Sequence, residues 1–165
     1  EVDTTSTGQG KDFIAFDNYL AISERSDGLR RIRIMPWQAP DKAFYVASDE
    51  PAYVTRFEKN PEQNTDWLRY SYTSLTTPET VYKLNMKTGD KQLLKQTEVL
   101  GEFEQSNYVT ERVWATAADG VKVPVSLLYR KGLALDGTAP LYQYAYGSYG
   151  SSSDPGRSGN GPALV

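Results

Sequence analysis

The sequence contains no histidine and no cysteine in 165 residues. Without imidazole or thiol, the chain by itself cannot assemble a Ser-His-Asp triad, a Cys-His pair, a zinc site built on those ligands or a disulfide framework. Carboxylate, lysine, tyrosine and backbone chemistry remain. Positive charge is not in excess either: 18 Lys+Arg against 21 Asp+Glu give a net charge of -3 and a pI near 5.1. The electrostatic footprint of a nucleic-acid binder is therefore missing, and neither DNA nor RNA is an expected partner. No apolar run approaches the roughly 18 residues a membrane-spanning helix needs, so no membrane partner is expected. The opening Glu1-Val2-Asp3-Thr4-Thr5 has neither the basic nor the apolar part of a secretory signal. With no starting Met, these residues read as cut from something longer. Zero cysteine suits the cytoplasm and is compatible with the periplasm.

What the chain does have is aromatic residues: 12 Tyr, 5 Phe and 3 Trp bring them to 12%, a tyrosine-rich β composition. From Phe13 to about Thr97, short runs of β-branched and aromatic residues alternate with Gly, Asp, Asn and Pro, the pattern of sequential antiparallel strands. The expected strands are 12–16, 19–24, 30–35, 43–47, 54–58, 67–72, 80–86 and 91–96. Ser26-Asp27-Gly28 and Lys87-Thr88-Gly89-Asp90 supply residues that tolerate positive φ at hairpin tips. A weak repeat lays Asp17-Asn18-Tyr19-Leu20 over Thr65-Asp66-Trp67-Leu68 at an offset of about 48 residues, near the period of four-stranded propeller blades.

Beyond Thr97 the texture changes. Glu98 to Asn107 is acidic, polar and strand-poor, and reads as a hinge. Strands at 108–116 and 121–129 flank Ala118-Asp119-Gly120, whose Asp-Gly tip suits a type I′ turn. Pro124, lacking an N–H, should lie on an edge. Leu141-Tyr142-Gln143-Tyr144-Ala145-Tyr146 reads as a buried central strand. Gly147 to Gly161, dominated by Gly and Ser, reads as a loose tail that cannot bury enough apolar surface to order itself.

Four blocks in order carry a resemblance: Tyr72-Thr73-Ser74-Leu75-Thr76-Thr77-Pro78-Glu79-Thr80-Val81-Tyr82; Leu94-Lys95-Gln96-Thr97-Glu98-Val99; Asp119-Gly120-Val121-Lys122-Val123-Pro124-Val125-Ser126-Leu127-Leu128-Tyr129-Arg130-Lys131; and Tyr144-Ala145-Tyr146-Gly147-Ser148-Tyr149-Gly150. Together they resemble the oligopeptidase B branch of the prolyl oligopeptidase family of serine peptidases, from about Phe13 to Pro155. The resemblance implies a mostly β chain: the last blades of a seven-bladed β-propeller (residues 1–101), a hinge (102–108), and the first strands of an incomplete α/β-hydrolase domain (109–165). It also implies that the nucleophile, its aspartate and its histidine lie downstream of the matched region. In the last block the second tyrosine, Tyr146, takes the role of a phenol donor to the oxyanion of the tetrahedral intermediate. From the residues alone, a Tyr closing an apolar run is a packing residue.

Other candidates have plainer readings. Tyr146-Gly147-Ser148-Tyr149-Gly150 imitates a G-x-S-x-G elbow, but Tyr146 occupies the first Gly position and no general base exists, so Ser148 is a loop serine. Glu98, Glu102 and Glu104 match no Ca²⁺ loop or glycosidase pair and read as a solvated acidic hinge. Arg25, Arg30, Arg31 and Arg33 make a basic hairpin, with Arg31 and Arg33 on one face and Ile32 and Ile34 on the other. The Gly-rich tail lacks the strand-to-helix setting of a phosphate loop. After Ser153-Asp154-Pro155 the chain departs from the family's apolar helix entry and reads as a truncation or an altered reading frame. The expected function is thus part of a peptidase cutting after Arg or Lys, inactive alone, with a peptide as substrate and no cofactor or metal. The alternatives are a noncatalytic β-rich module that self-associates through open sheet edges, and a prolyl oligopeptidase with proline specificity.

Overall fold

The computed structural model describes residues 12–101 and 103–157. Within them the alternating pattern becomes two antiparallel meanders of four strands each. The first holds β1 (Asp12–Ala15), β2 (Tyr19–Ser26), β3 (Leu29–Pro36) and β4 (Phe44–Tyr45); the second holds β5 (Tyr53–Phe57), β6 (Trp67–Ser74), β7 (Thr80–Asn85) and β8 (Lys91–Gln96). Sequence neighbours are spatial neighbours throughout, which is the build of a propeller blade. β2 begins at Tyr19 and β6 at Trp67, each the second strand of its sheet. The faint repeat in the sequence is therefore a positional equivalence between two blades. Among the described residues there is no α-helix, only 3₁₀ turns at Pro40–Lys42, Gln105–Asn107 and Ser148–Gly150.

The strands hold because each has one face to bury. In β3, Ile32 and Ile34 are fully buried while Arg31 and Arg33 lie on the partly exposed face, as a two-residue period requires. Those isoleucines share one apolar cluster with Ala21 and Leu29 of the first sheet, with Leu68, Tyr70 and Leu84 of the second, and with Met86 just past β7. Burying an Ile or Leu completely contributes about 2 kcal/mol each, so this shared core is what joins the two blades. Glu24 accepts a two-pronged contact from Arg33 (2.9 and 3.1 Å) and the Tyr45 hydroxyl at 2.6 Å, which ties β2, β3 and β4 together on the other face. β4 is shorter than the expected 43–47. The Pro40–Lys42 turn takes up the chain before it, and after Tyr45 only the Val46 N–H bond to the Ile32 carbonyl (2.9 Å) continues the ladder.

A third, two-stranded sheet follows: β9 (Tyr108–Thr116) against β10 (Lys122–Arg130). Its tip differs from the expected type I′ turn. Only Gly120 is at positive φ (86°), with its N–H bonded to the Ala117 carbonyl at 2.9 Å; a type I′ turn needs positive φ at both central residues. That geometry occurs instead between β2 and β3, at Asp27 (φ 52°) and Gly28 (φ 74°). Pro124 faces Trp114 on a strand whose other edge is open among the described residues.

The β9–β10 hairpin leans on this β2–β3 tip. Arg112 donates from Nη2 to the Asp27 carbonyl, and a Cβ placed on Gly28 would come within 2.8 Å of Arg112 Nη2 and 3.0 Å of Pro124 Cγ. Gly28→Ala is therefore expected to cost about 1–2 kcal/mol, from the positive φ and from displacing the hairpin. Gly120→Ala, at a similar φ but with nothing within 4 Å, should cost less. Paired chemical unfolding of the two variants measures the difference, and equal losses would contradict the docking contact.

Residues 141–146 correct the expectation of a buried strand. They form no strand, and Leu141, Tyr142 and Tyr144 are 81%, 70% and 70% exposed. A strand needs a ladder partner for its backbone groups, and no described strand lies beside this run.

Candidate functional site

Tyr146 is the last residue of this strandless run, just before the Ser148–Gly150 turn. Its side chain is half exposed, and its phenol oxygen makes no hydrogen bond among the described residues. The backbone around it is closed into a small ring: the Tyr146 N–H donates to Ser153 Oγ at 3.2 Å, and the Ser153 hydroxyl donates to the Tyr146 carbonyl at 3.3 Å. Inside the ring lies the 3₁₀ turn Ser148–Gly150, with Tyr149 at φ 53° and almost wholly exposed. A bulky residue in the left-handed region is uncommon and needs its surroundings to hold it. Ser148 stands exposed on this turn, and a chain without histidine offers it no imidazole base. Beside this ring the Tyr146 phenol faces solvent, half exposed, and a phenol hydroxyl can donate a hydrogen bond.

The residues after the ring overturn the expectation of a loose tail, as far as Arg157. The Asp154 carboxylate receives Arg25 Nη1 at 2.8 Å and lies 3.5 Å from Arg56 Nη2 and 4.0 Å from Arg30 Nε. Arg25 and Arg30 belong to the first blade and Arg56 to the second. Pro155 is buried. A Cβ on Gly156 would fall 3.3 Å from Thr73 Cγ2, so glycine permits the backbone to lie directly on β6. The Arg157 N–H then donates to Thr73 Oγ1 at 3.3 Å, and its guanidinium covers the Phe103 ring at 4.2 Å. The composition rule failed because order here comes from charge pairing and backbone approach, which need no apolar side chains. Residues 158–161 of the expected tail lie outside the described residues.

A second centre was not signalled by any motif. Glu50, in the loop before β5, accepts hydrogen bonds from Ser74 Oγ (2.6 Å), Tyr72 Oη (2.6 Å), Thr77 Oγ1 (2.7 Å) and Thr76 Oγ1 (2.7 Å). Burial alone would raise its carboxyl, but the four hydroxyls outweigh burial and hold it below the usual carboxylate range. Tyr72 responds in the opposite sense: burial and the neighbouring carboxylate push its phenol far up. Gln105, in the expected hinge, donates to Thr77 Oγ1 at 3.0 Å, so this network also fastens the segment leading to β9. The Thr-Thr-Pro-Glu-Thr block at 76–80 thus has a structural use. Its first two hydroxyls hold Glu50, and the third, on Thr80, bonds the Pro78 carbonyl at 2.8 Å.

The remaining candidates are quickly placed. Glu98 and Glu104 are exposed, Glu102 lies outside the described residues, and among the described residues no acidic group converges in a metal-ligating set. The basic hairpin is more than a half-exposed strand. Arg25 and Arg30 reach Asp154, Arg33 reaches Glu24, and Arg31 donates to the Tyr53 hydroxyl at 3.1 Å while stacking on Tyr45 at 4.2 Å. Between this face and β9 runs an open groove of about 550 Å³, lined by Arg31, Tyr45, Glu50, Tyr53, Arg112 and Trp114.

Comparison with known proteins gives these blades relatives. The family described as prolyl oligopeptidase, N-terminal beta-propeller domain, matches residues 7–97. Dipeptidyl aminopeptidase BI of Pseudoxanthomonas mexicana is 49% identical over 93% of this chain, and protease 2 of Moraxella lacunata 40% identical over 85%. Among solved structures, oligopeptidase B of Trypanosoma brucei in a closed form with covalently bound antipain superposes with a TM-score of 0.78 at 32% identity over 89% of this chain. Oligopeptidase B of Leishmania major gives 0.77 at 33% over 90%. The chain spans only about a fifth of each relative, 22% of the first and 20% of the second.

Proposed function

Since this chain belongs to the prolyl oligopeptidase family, we propose that it serves a serine peptidase, supplying two propeller blades and, through Tyr146, one donor of the oxyanion site. The observation that carries the reading is the continuity of the match. Blade homology covers residues 7–97, and the 49% identity to a peptidase extends over 93% of the chain, well past the blades. The reaction is hydrolysis of a peptide bond. A serine attacks the carbonyl, a histidine takes its proton and returns it to the leaving amine, and charge gathers on the carbonyl oxygen. A chain with no histidine contributes no base to this sequence; the nucleophile, aspartate and histidine belong to the rest of the peptidase. In that setting 109–150 leads into a hydrolase sheet, and the exposed strand β8, with Leu93 and Leu94, meets a further blade instead of a second copy. The setting is cytoplasmic.

For substrate, the reading favours peptides cut after Arg or Lys, by likeness to the two oligopeptidase B structures. A second reading, removal of dipeptides from a free amino terminus, has the name of the 49% identical relative in its favour. A fluorogenic Arg-containing peptide with blocked and free amino termini separates them in the complete peptidase: turnover of both forms supports cleavage after basic residues, and turnover of the free form alone supports the second. The 165-residue chain is expected to turn over neither. Turnover by this chain, abolished by Tyr146→Phe, would contradict the division of labour proposed here.

A further inference from the structure

We infer that Asp154 is a positioning residue: a clasp by which the two propeller blades fix the loop carrying Tyr146. The inference rests on the oxyanion reading of Tyr146 and extends it to how the propeller takes part in the reaction. Three observations converge. First, Asp154 binds cations from both blades at once, Arg25 at 2.8 Å and Arg30 at 4.0 Å from the first, Arg56 at 3.5 Å from the second, with its own side chain 15% exposed. A single carboxylate among three guanidinium groups is held from several directions, and without it those cations would face one another unbalanced. Second, the residue before it is the one that closes the Tyr146 ring, since Ser153 Oγ bonds both the N–H and the carbonyl of Tyr146. The phenol-bearing residue is thus two links from the clasp, by way of the Ser153 hydroxyl. Third, the residues after it are seated as well: Pro155 is buried, Gly156 lies against Thr73, and the Arg157 N–H bonds Thr73 Oγ1. The loop is pinned on the far side of the ring, so its position follows that of the blades.

Arg25 also donates to the Gly28 carbonyl at 3.0 Å, the turn on which Arg112 and Pro124 rest. One arginine therefore connects the clasp to the hairpin docking site, and movement of the blades is communicated to both. A donor displaced by about 1 Å from a developing oxyanion loses much of its effect. The clasp accordingly acts on turnover and leaves substrate binding largely unchanged.

The test uses Asp154→Asn, nearly the same shape without the charge. In the 165-residue chain, amide exchange at Tyr146, Ser151, Gly156 and Arg157 is expected to rise by about tenfold or more while β2 and β6 keep their protection. Added salt should loosen the same amides in the unaltered chain and change little in the variant. In the complete peptidase kcat should fall about tenfold with KM within about twofold, and the fall should vanish in a Tyr146→Phe background. Should Asp154→Asn fail to fold, Arg56→Ala, at the most exposed arm of the clasp, should give a smaller change in the same direction. Unchanged exchange at these amides in both variants would overturn the clasp. Loosened amides with full turnover in Tyr146→Phe would instead overturn the oxyanion reading, and with it the positioning role.

Discussion

Replacing Glu50 by Gln is expected to lower the unfolding free energy by about 2–4 kcal/mol, with a fall in Tm of order 10 °C. The reason lies in donor and acceptor counts. Four hydroxyls, from Tyr72, Ser74, Thr76 and Thr77, all donate to the two carboxylate oxygens. A glutamine keeps one acceptor oxygen and turns two donors toward hydroxyls already oriented to give. Ser74 Oγ is also the acceptor for the Thr76 and Thr77 amides, at 3.1 and 2.7 Å, so a disturbed Ser74 loosens the whole β6–β7 turn. Through Gln105 the loss should spread to the segment before β9. Hydrogen bonds to a charged group contribute more than neutral ones, which is why this single part-buried loop residue is expected to matter as much as a core leucine.

The same network makes stability depend on acid. Glu50 is held below its ordinary value of 4.5 in the folded chain. Between that value and its lower folded one, the unfolded state binds the proton first. Its contribution is therefore fully present above about pH 4.5 and is lost as pH falls through the folded value. Glu50→Gln has nothing to titrate there, so the stability gap between it and the unaltered chain should narrow below about pH 4. Denaturant midpoints at pH 7 and pH 3 measure it; a gap that stays constant would show that the carboxylate charge is not what holds the turn.

How much of this could be read from the sequence follows from the range of each interaction. The blades were legible because a strand with one buried face writes its period locally: Ile32 and Ile34 against Arg31 and Arg33 state both the strand and its orientation. The Asp27-Gly28 hairpin was legible for the same reason, since positive φ is a local demand. The tyrosine run at 141–146 misled because an apolar stretch reads as buried whether or not a partner strand lies beside it. The tail misled in the reverse direction. Its Gly and Ser content hid Asp154, whose partner Arg25 is 129 residues away, and no local pattern encodes such a pairing. Glu50 was silent for a related cause: its donors lie 22 to 27 residues downstream, and only the crowding of hydroxyls at Ser74, Thr76 and Thr77 hinted that an acceptor was required. Tyr146 is singled out only by its family block, and the fold adds the Ser153 contacts that close on its backbone.

In the complete peptidase, Tyr146→Phe is expected to reduce kcat by about 100-fold to 1000-fold with little change in KM. In the proposed role the phenol would contribute only where charge develops: a ground-state carbonyl accepts a weak hydrogen bond, and the tetrahedral oxyanion a much stronger, charge-assisted one. Removing the hydroxyl deletes one oxygen and keeps the ring, so packing is preserved; the half-exposed side chain, whose oxygen has no hydrogen-bond partner among the described residues, gives little reason for a loss of stability. The fold change in kcat relative to KM for this one variant, on an Arg-containing fluorogenic peptide, tests the account most directly. A fall of about 100-fold or more confined to kcat is the predicted result. Turnover within about twofold of the unaltered enzyme, or a loss carried wholly by KM, would contradict it.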